Sequence, residues 1–173
     1  LAPLPGTVFT SPTKVFASGR TIGLAGLSLA NARGVVWSPA GQIRELRRLP
    51  GHAFTAPLAG DGNGTIVGLA SKMIGELDQP VAWYSGVVHQ LPRPQGKAFG
   101  RMDGIDNKSR MIGSAWNFSG GDDIGYVLDP DGTITPVGPL PGGTFAHLVD
   151  LNDAGVMVGF GSDSAGFLRA LYR

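Results

Sequence analysis

The chain has 173 residues, 42% of them apolar, with 28 glycines, 13 prolines, no cysteine and a formal net charge of +1. That length suits one domain with a sizeable core, while the near-neutral charge, with Arg44, Arg47 and Arg48 as the only basic cluster, speaks against a nucleic-acid partner. No apolar run approaches the ~20 residues of a membrane helix, the glycine and proline content disfavours long helices, and the lack of cysteine removes disulfide and thiolate chemistry.

In chain order, the first pattern to emerge is a repeat. Phe9, Phe54, Phe99 and Phe145 are spaced 45, 45 and 46 residues apart, and Gly6, Gly51, Gly96 and Gly142 keep the same beat, as do Gly23, Gly68, Gly113 and Gly159. A period in the mid-forties made of short β-type runs is that of propeller blades. It predicts an all-β chain: a small β-propeller with four blades of four antiparallel strands, in a single domain spanning residues 1–173. The repeats run approximately over 6–50, 51–95, 96–141 and 142–173 plus 1–5.

The second repeat gives the strands most clearly. Phe54 to Ala59 is the first, Asp61-Gly62-Asn63-Gly64 a hairpin turn of residues that accept positive φ, and Thr65 to Ala70 the second strand. A polar loop from Ser71 to Gln79 leads to a third strand around Val81 to Tyr84, a turn at Gly86 and a fourth strand, Val87 to Leu91. Gly23, Gly68, Gly113 and Gly159 fall inside second strands, where glycine signals close approach of another backbone. The third strands are anchored by Trp37, Trp83, Leu128 and Leu171. The chain stops at Arg173, before a fourth strand in the last repeat. Leu1 to Gly6 matches Leu46 to Gly51, so the first residues are expected to pair onto the last blade, protecting its edge. Because about four residues equivalent to Gln42 to Glu45 are missing from this match, a segment of a longer array, or a ring shared by two copies, is the alternative. The start at Leu1, with no signal peptide, predicts a processed or excised end.

Leu140-Pro141-Gly142-Gly143-Thr144, followed by Leu151-Asn152-Asp153-Ala154-Gly155-Val156-Met157-Val158-Gly159 and matched by Val36-Trp37 through Gly41-Gln42-Ile43, resembles bacterial extracellular HAF-repeat proteins. The resemblance spans all four repeats. It implies a secreted or surface protein and no catalytic residue. The namesake His-Ala-Phe of that family sits on the third strand; His52-Ala53-Phe54 of this chain falls on the first strand and is not a counterpart.

Little in the sequence points to catalysis. His52, His89 and His147 occupy unrelated repeat positions without the spacing of a zinc motif, and no serine stands in a nucleophile elbow. Gly60 to Gly64 and Asp129 to Gly132 resemble calcium loops superficially, lack the distal glutamate and read better as hairpin turns. No metal and no cofactor is expected.

The positions where the repeats disagree are more informative. On first strands that are otherwise mostly small or apolar stand Lys14, Arg101, Asp103, His147 and Asp150. They read either as a hydrogen-bonded plug or as a site at the propeller axis, binding a small ligand or supplying acid and base. The loops after the second strands also vary. They carry Glu76, Asp78, Asp122, Asp123 and Asp163 beside Trp116 and Phe118, and variable loops on a fixed frame are where recognition resides. The sequence therefore predicts an extracellular binding module, monomeric or homodimeric, whose partner is a glycan, a protein surface or a small ligand bound by Lys14, Arg101, Asp103, His147, Trp116 and Phe118. The alternatives are a cofactor-independent lyase, cyclase or isomerase using Asp103, His147, Asp150 and Arg101, and a purely structural segment of a larger surface protein.

Overall fold

The computed structural model describes residues 1–73, 78–118 and 122–173. Among these, regular structure is β apart from one 3-10 turn at Leu29–Asn31. Each repeat forms its own antiparallel sheet. The first contains β1 (Phe9–Val15), β2 (Thr21–Gly26), β3 (Arg33–Trp37) and β4 (Ile43–Glu45). The second contains β5 (Phe54–Gly60), β6 (Ile66–Ser71), β7 (Gln79–Tyr84) and β8 (Val87–Gln90). The third contains β9 (Phe99–Ile105), β10 (Met111–Trp116), β11 (Ile124–Leu128) and β12 (Ile134–Val137). The last has three strands, β13 (Ala146–Leu151), β14 (Met157–Ser162) and β15 (Leu168–Tyr172). In every sheet the strands follow chain order, as a meander of hairpins requires.

The chain divides into two compact units, Leu1–Leu91 with the first two sheets and Pro92–Arg173 with the last two. Ile22, Val36, Leu46, Ile66, Ala70, Val81 and Trp83 make the main core of the first unit. Ile112, Val127, Leu148, Leu151 and Met157 make that of the second.

One backbone device recurs in all four sheets. The register between first and second strands slips by one residue, leaving Thr13, Leu58, Asp103 and Val149 as bulges. A bulge bends its strand toward its partner. Here it presses the carbonyls of Ser11, Ala56, Arg101 and His147 over Gly23, Gly68, Gly113 and Gly159, where a Cβ would collide with them. The glycine beat is thus the imprint of a repeated bulge. In the last three sheets the hairpin that follows is closed by a side-chain oxygen: Asp61 Oδ1 accepts from the Thr65 N–H, Asp106 Oδ1 from Arg110, and Asn152 Oδ1 from Val156. Both calcium-like segments take the turn role; in the second, the Gly132 N–H donates to the Asp129 carbonyl.

Two expectations need correction. Leu1 to Gly6 is the counterpart of Leu46 to Gly51, yet neither segment is a strand, because β4 ends at Glu45. Both segments instead dock on the third-strand tryptophan of the sheet that follows them. Trp37 Nε1 donates to the Ala2 carbonyl at 2.8 Å and Trp83 Nε1 to that of Arg47 at 2.7 Å. Leu4 packs with Ala25, Val35 and Trp37. In the first repeat the strand β4 lies at Ile43–Glu45, ahead of the matched segment, and the last sheet has no fourth strand among the described residues. The anchor of β15 is also displaced. Trp37, Trp83 and Leu128 lie opposite Thr21, Ile66 and Met111, whereas in the last sheet Arg173 exchanges both backbone hydrogen bonds with Met157 and Leu171 faces Gly159. Leu171 and Arg173 share a strand face, so apolar alternation cannot distinguish a two-residue slip.

Candidate functional site

The polar residues that break the repeat pattern gather in the second unit, where β13 packs on β9 and β10. Arg101 and Asp103 stand two apart on β9, with Nε 2.8 Å from Oδ1. Asp103 is the bulge residue, and its side chain is only 12% exposed. Ser114 on β10 and Tyr126 on β11 are completely buried. From β13, His147 brings Nε2 to 3.4 Å from Asp123 Oδ2, and its ring stacks on Phe160 and tilts against Phe145. The Asp123 carbonyl accepts the Ala146 N–H at 2.9 Å, which ties the loop before β11 to β13.

Burial pushes the Asp103 carboxyl above its ordinary range; the Arg101 guanidinium, His147 and the Ser114 hydroxyl work against that rise. Burial, with the Asp103 charge adding to it, also raises Tyr126, opposed by Arg93. Tyr126 Oη and His147 Nδ1 are buried without a hydrogen-bond partner among the described residues, while the Ser114 hydroxyl faces the Asp103 carboxyl. Buried polar atoms are nearly always paired, so two such atoms beside a buried carboxyl mark a locus at which stability gives way to another demand.

The sign of the pH effect follows from Asp103. Its folded pKa lies above the unfolded 3.8, so the folded chain holds this proton more tightly. The stability it contributes is present below 3.8 and lost as pH rises from there through the raised folded value. Thermal denaturation of wild type and Asp103→Asn across the acidic range should show the wild type losing ground to the variant as pH rises through that window. A difference that moves the other way contradicts the assignment.

Arg101 and Asp103 pair on β9, and His147 is near enough for its charge to act on Asp103. Asp150 does not join them: it is exposed, and among the described residues its Oδ1 accepts from the Leu151 N–H alone. Lys14 is exposed on β1 of the other unit. Trp116 is half-buried at the end of β10. Phe118 is 82% exposed and meets Phe99 edge to face at 4.4 Å between centroids.

Beside these aromatics, Asp122 is held by Lys97 Nζ at 2.7 Å and by Asn117, and these hydrogen bonds, Lys97's foremost, lower its pKa. Asp163 is a turn residue, since its carboxylate accepts from the N–H groups of Ala165 and Phe167 and from Arg169 Nε. Asp78 lies just before β7, and Glu76 lies outside the described residues.

Sequence reasoning missed Ser114 and Tyr126. Their signal was available in the repeat frame. Ser114 stands where the other repeats have Leu24, Leu69 and Phe160, and Tyr126 where they have Val35, Val81 and Leu171. No three His, Asp or Glu side chains converge to form a metal site among the described residues.

TolB from Acinetobacter baumannii shares the fold with a TM-score of 0.61 at 13% identity, covering 93% of this chain and 42% of TolB. The likeness is to a β-propeller. At that identity it concerns architecture alone. No protein-family model matches the sequence, and no curated protein does. Among the described residues no helix is long and apolar enough to cross a membrane.

Proposed function

We propose that the four sheets are blades of a small propeller, that the chain is a HAF-repeat-like binding module of an extracellular protein, and that it recognises a glycan at the Arg101–Asp103–His147 cluster. The observation that carries the reading is the coincidence of unpaired buried polar atoms with the positions that break the repeat. A guanidinium half open to solvent and a partly open imidazole offer directional hydrogen bonds to hydroxyl groups. Phe118 adds an exposed apolar face nearby on the chain, and aromatic faces that combine with polar groups suit an amphipathic sugar ring. The fold likeness to TolB supports the frame.

The test is binding of the purified chain to an array of immobilised glycans. Retention of a defined glycan class is expected, weakened at least about tenfold in Arg101→Ala and Phe118→Ala, in line with loss of one charged and one aromatic anchor. Absence of retention, or variants that bind like wild type, would overturn the reading.

An acid–base enzyme is favoured by one observation, the raised pKa of Asp103 near His147. Against it, Arg101 ties the carboxylate and Asp150 is not in the cluster. Glycan turnover by wild type and not by Asp103→Asn would establish the enzyme reading instead.

A further inference from the structure

Arg20 and Arg44, in the first unit, flank a cavity of about 310 Å³ at the β3–β4 hairpin, walled by Val36, Pro39 and Ile43 with Ser38 between them. Neither arginine has an ion-pair partner among the described residues, although Arg33 and Arg48 close by both engage Glu45. The repeat supplies an internal comparison. Arg110 is the counterpart of Arg20, two repeats on, and Asp129 that of Ser38, since each follows the residue opposite the start of the second strand. The two arginines are placed alike. A terminal nitrogen of Arg20 reaches the Gly64 turn of the next hairpin, and one of Arg110 reaches the Gly155 turn. In the third sheet, however, Asp129 Oδ1 lies 3.1 Å from Arg110 Nε, whereas the first sheet keeps the guanidinium and has a serine and an open cavity where the carboxylate would stand.

We propose that this cavity binds a small organic carboxylate, whose carboxyl group takes the place that Asp129 fills in the third repeat. A guanidinium fork matches a carboxylate in two parallel hydrogen bonds. Arg44, whose terminal nitrogen abuts the Gly86 turn, adds a second positive charge. The Ser38 Oγ accepts the Gln42 N–H, which leaves its hydroxyl hydrogen to donate. The apolar wall suits a short carbon chain, and the volume is at the small end of ligand sites. The inference uses none of the residues of the glycan reading and stands independently of it.

The test is a titration of the full chain by two-dimensional NMR with butyrate, with butyramide and inorganic phosphate as the other probes. Butyrate should shift the side-chain N–H signals of Arg20 and Arg44 saturably, with a dissociation constant in the millimolar range, and butyramide should not. Ser38→Asp supplies the carboxylate from within and should weaken butyrate binding at least about tenfold, with the Arg20 signal already moved in the free protein. Arg20→Met, which removes the fork without adding charge, should lose binding while keeping the dispersed spectrum, and it decides the matter should Ser38→Asp fail to fold. No saturable shift, phosphate bound more tightly than butyrate, or butyrate binding unchanged in Arg20→Met would overturn the proposal.

Discussion

Gly68→Ala is expected to cost about 3 kcal/mol or more, although it adds one methyl group to a residue with ordinary φ. The new Cβ would strike the Ala56 carbonyl oxygen and press on its carbon and on Pro57 Cα, each about 3.0 Å away. All three are backbone atoms, so no side chain can swing aside. Relief requires the bulge at Leu58 to flatten, which would change the β5–β6 register. For a domain of this size such a loss lowers the melting temperature by roughly 6–12 °C. The same substitution at Gly138, where a Cβ meets nothing within 4 Å, should stay within about 0.5 kcal/mol of wild type. Equal melting temperatures for the two variants would refute the bulge account of the glycine beat.

Trp83→Ala should destabilise by about 3–5 kcal/mol. The side chain is 1% exposed, lies in the core of the first unit with Ile22, Leu46 and Ile66, and holds the segment after β4 through the Arg47 carbonyl. Trp83→Phe separates the two contributions, since it keeps most of the packing and removes the donor, for a smaller loss on the order of 1 kcal/mol relative to wild type. Denaturant titration of the three proteins checks this. A phenylalanine variant as unstable as the alanine variant would mean that the hydrogen bond to Arg47, and not the ring packing that phenylalanine keeps, dominates.

Local periodicity made the sheets legible. The second-repeat strands fall within about two residues of their expected bounds, because turn chemistry at Asp61 to Gly64 and at Gly86 punctuates them. What escaped the sequence depends on longer range. The segment 1–6 carries the right match to 46–51, but only the Trp37 and Trp83 hydrogen bonds reveal that both dock on a tryptophan rather than forming a strand. The Leu171 slip is invisible to a pattern of period two.

For the candidate site, Arg101, Asp103 and His147 were legible as departures from a small or apolar strand. Asp150 and Lys14 were equally conspicuous in sequence; Asp150 does not join the cluster, and Lys14 lies on β1 of the first unit. Asp150 fails because it follows the bulge that re-aims β13. Ser114 and Tyr126 were overlooked because they sit on second and third strands, where one serine or tyrosine amid apolar residues reads as ordinary packing. Only the register shows that Ser114 lies opposite Arg101 and Gly125, and Tyr126 opposite Gly113, within the same sheet as Asp103.

The central claim is that the polar cluster serves recognition and not the frame. Its most direct test is the melting temperature of a variant that gives the third repeat the residues of the second: Arg101→Ala, Asp103→Leu, Ser114→Leu and Tyr126→Val, after Ala56, Leu58, Leu69 and Val81. If the cluster costs stability, replacing the buried Asp103 carboxyl, its half-exposed Arg101 partner and the buried Ser114 and Tyr126 hydroxyls by apolar packing should be stabilising by about 1–4 kcal/mol, and the melting temperature should rise while glycan retention disappears. A melting temperature several degrees below that of wild type would contradict the account and make the cluster a structural plug.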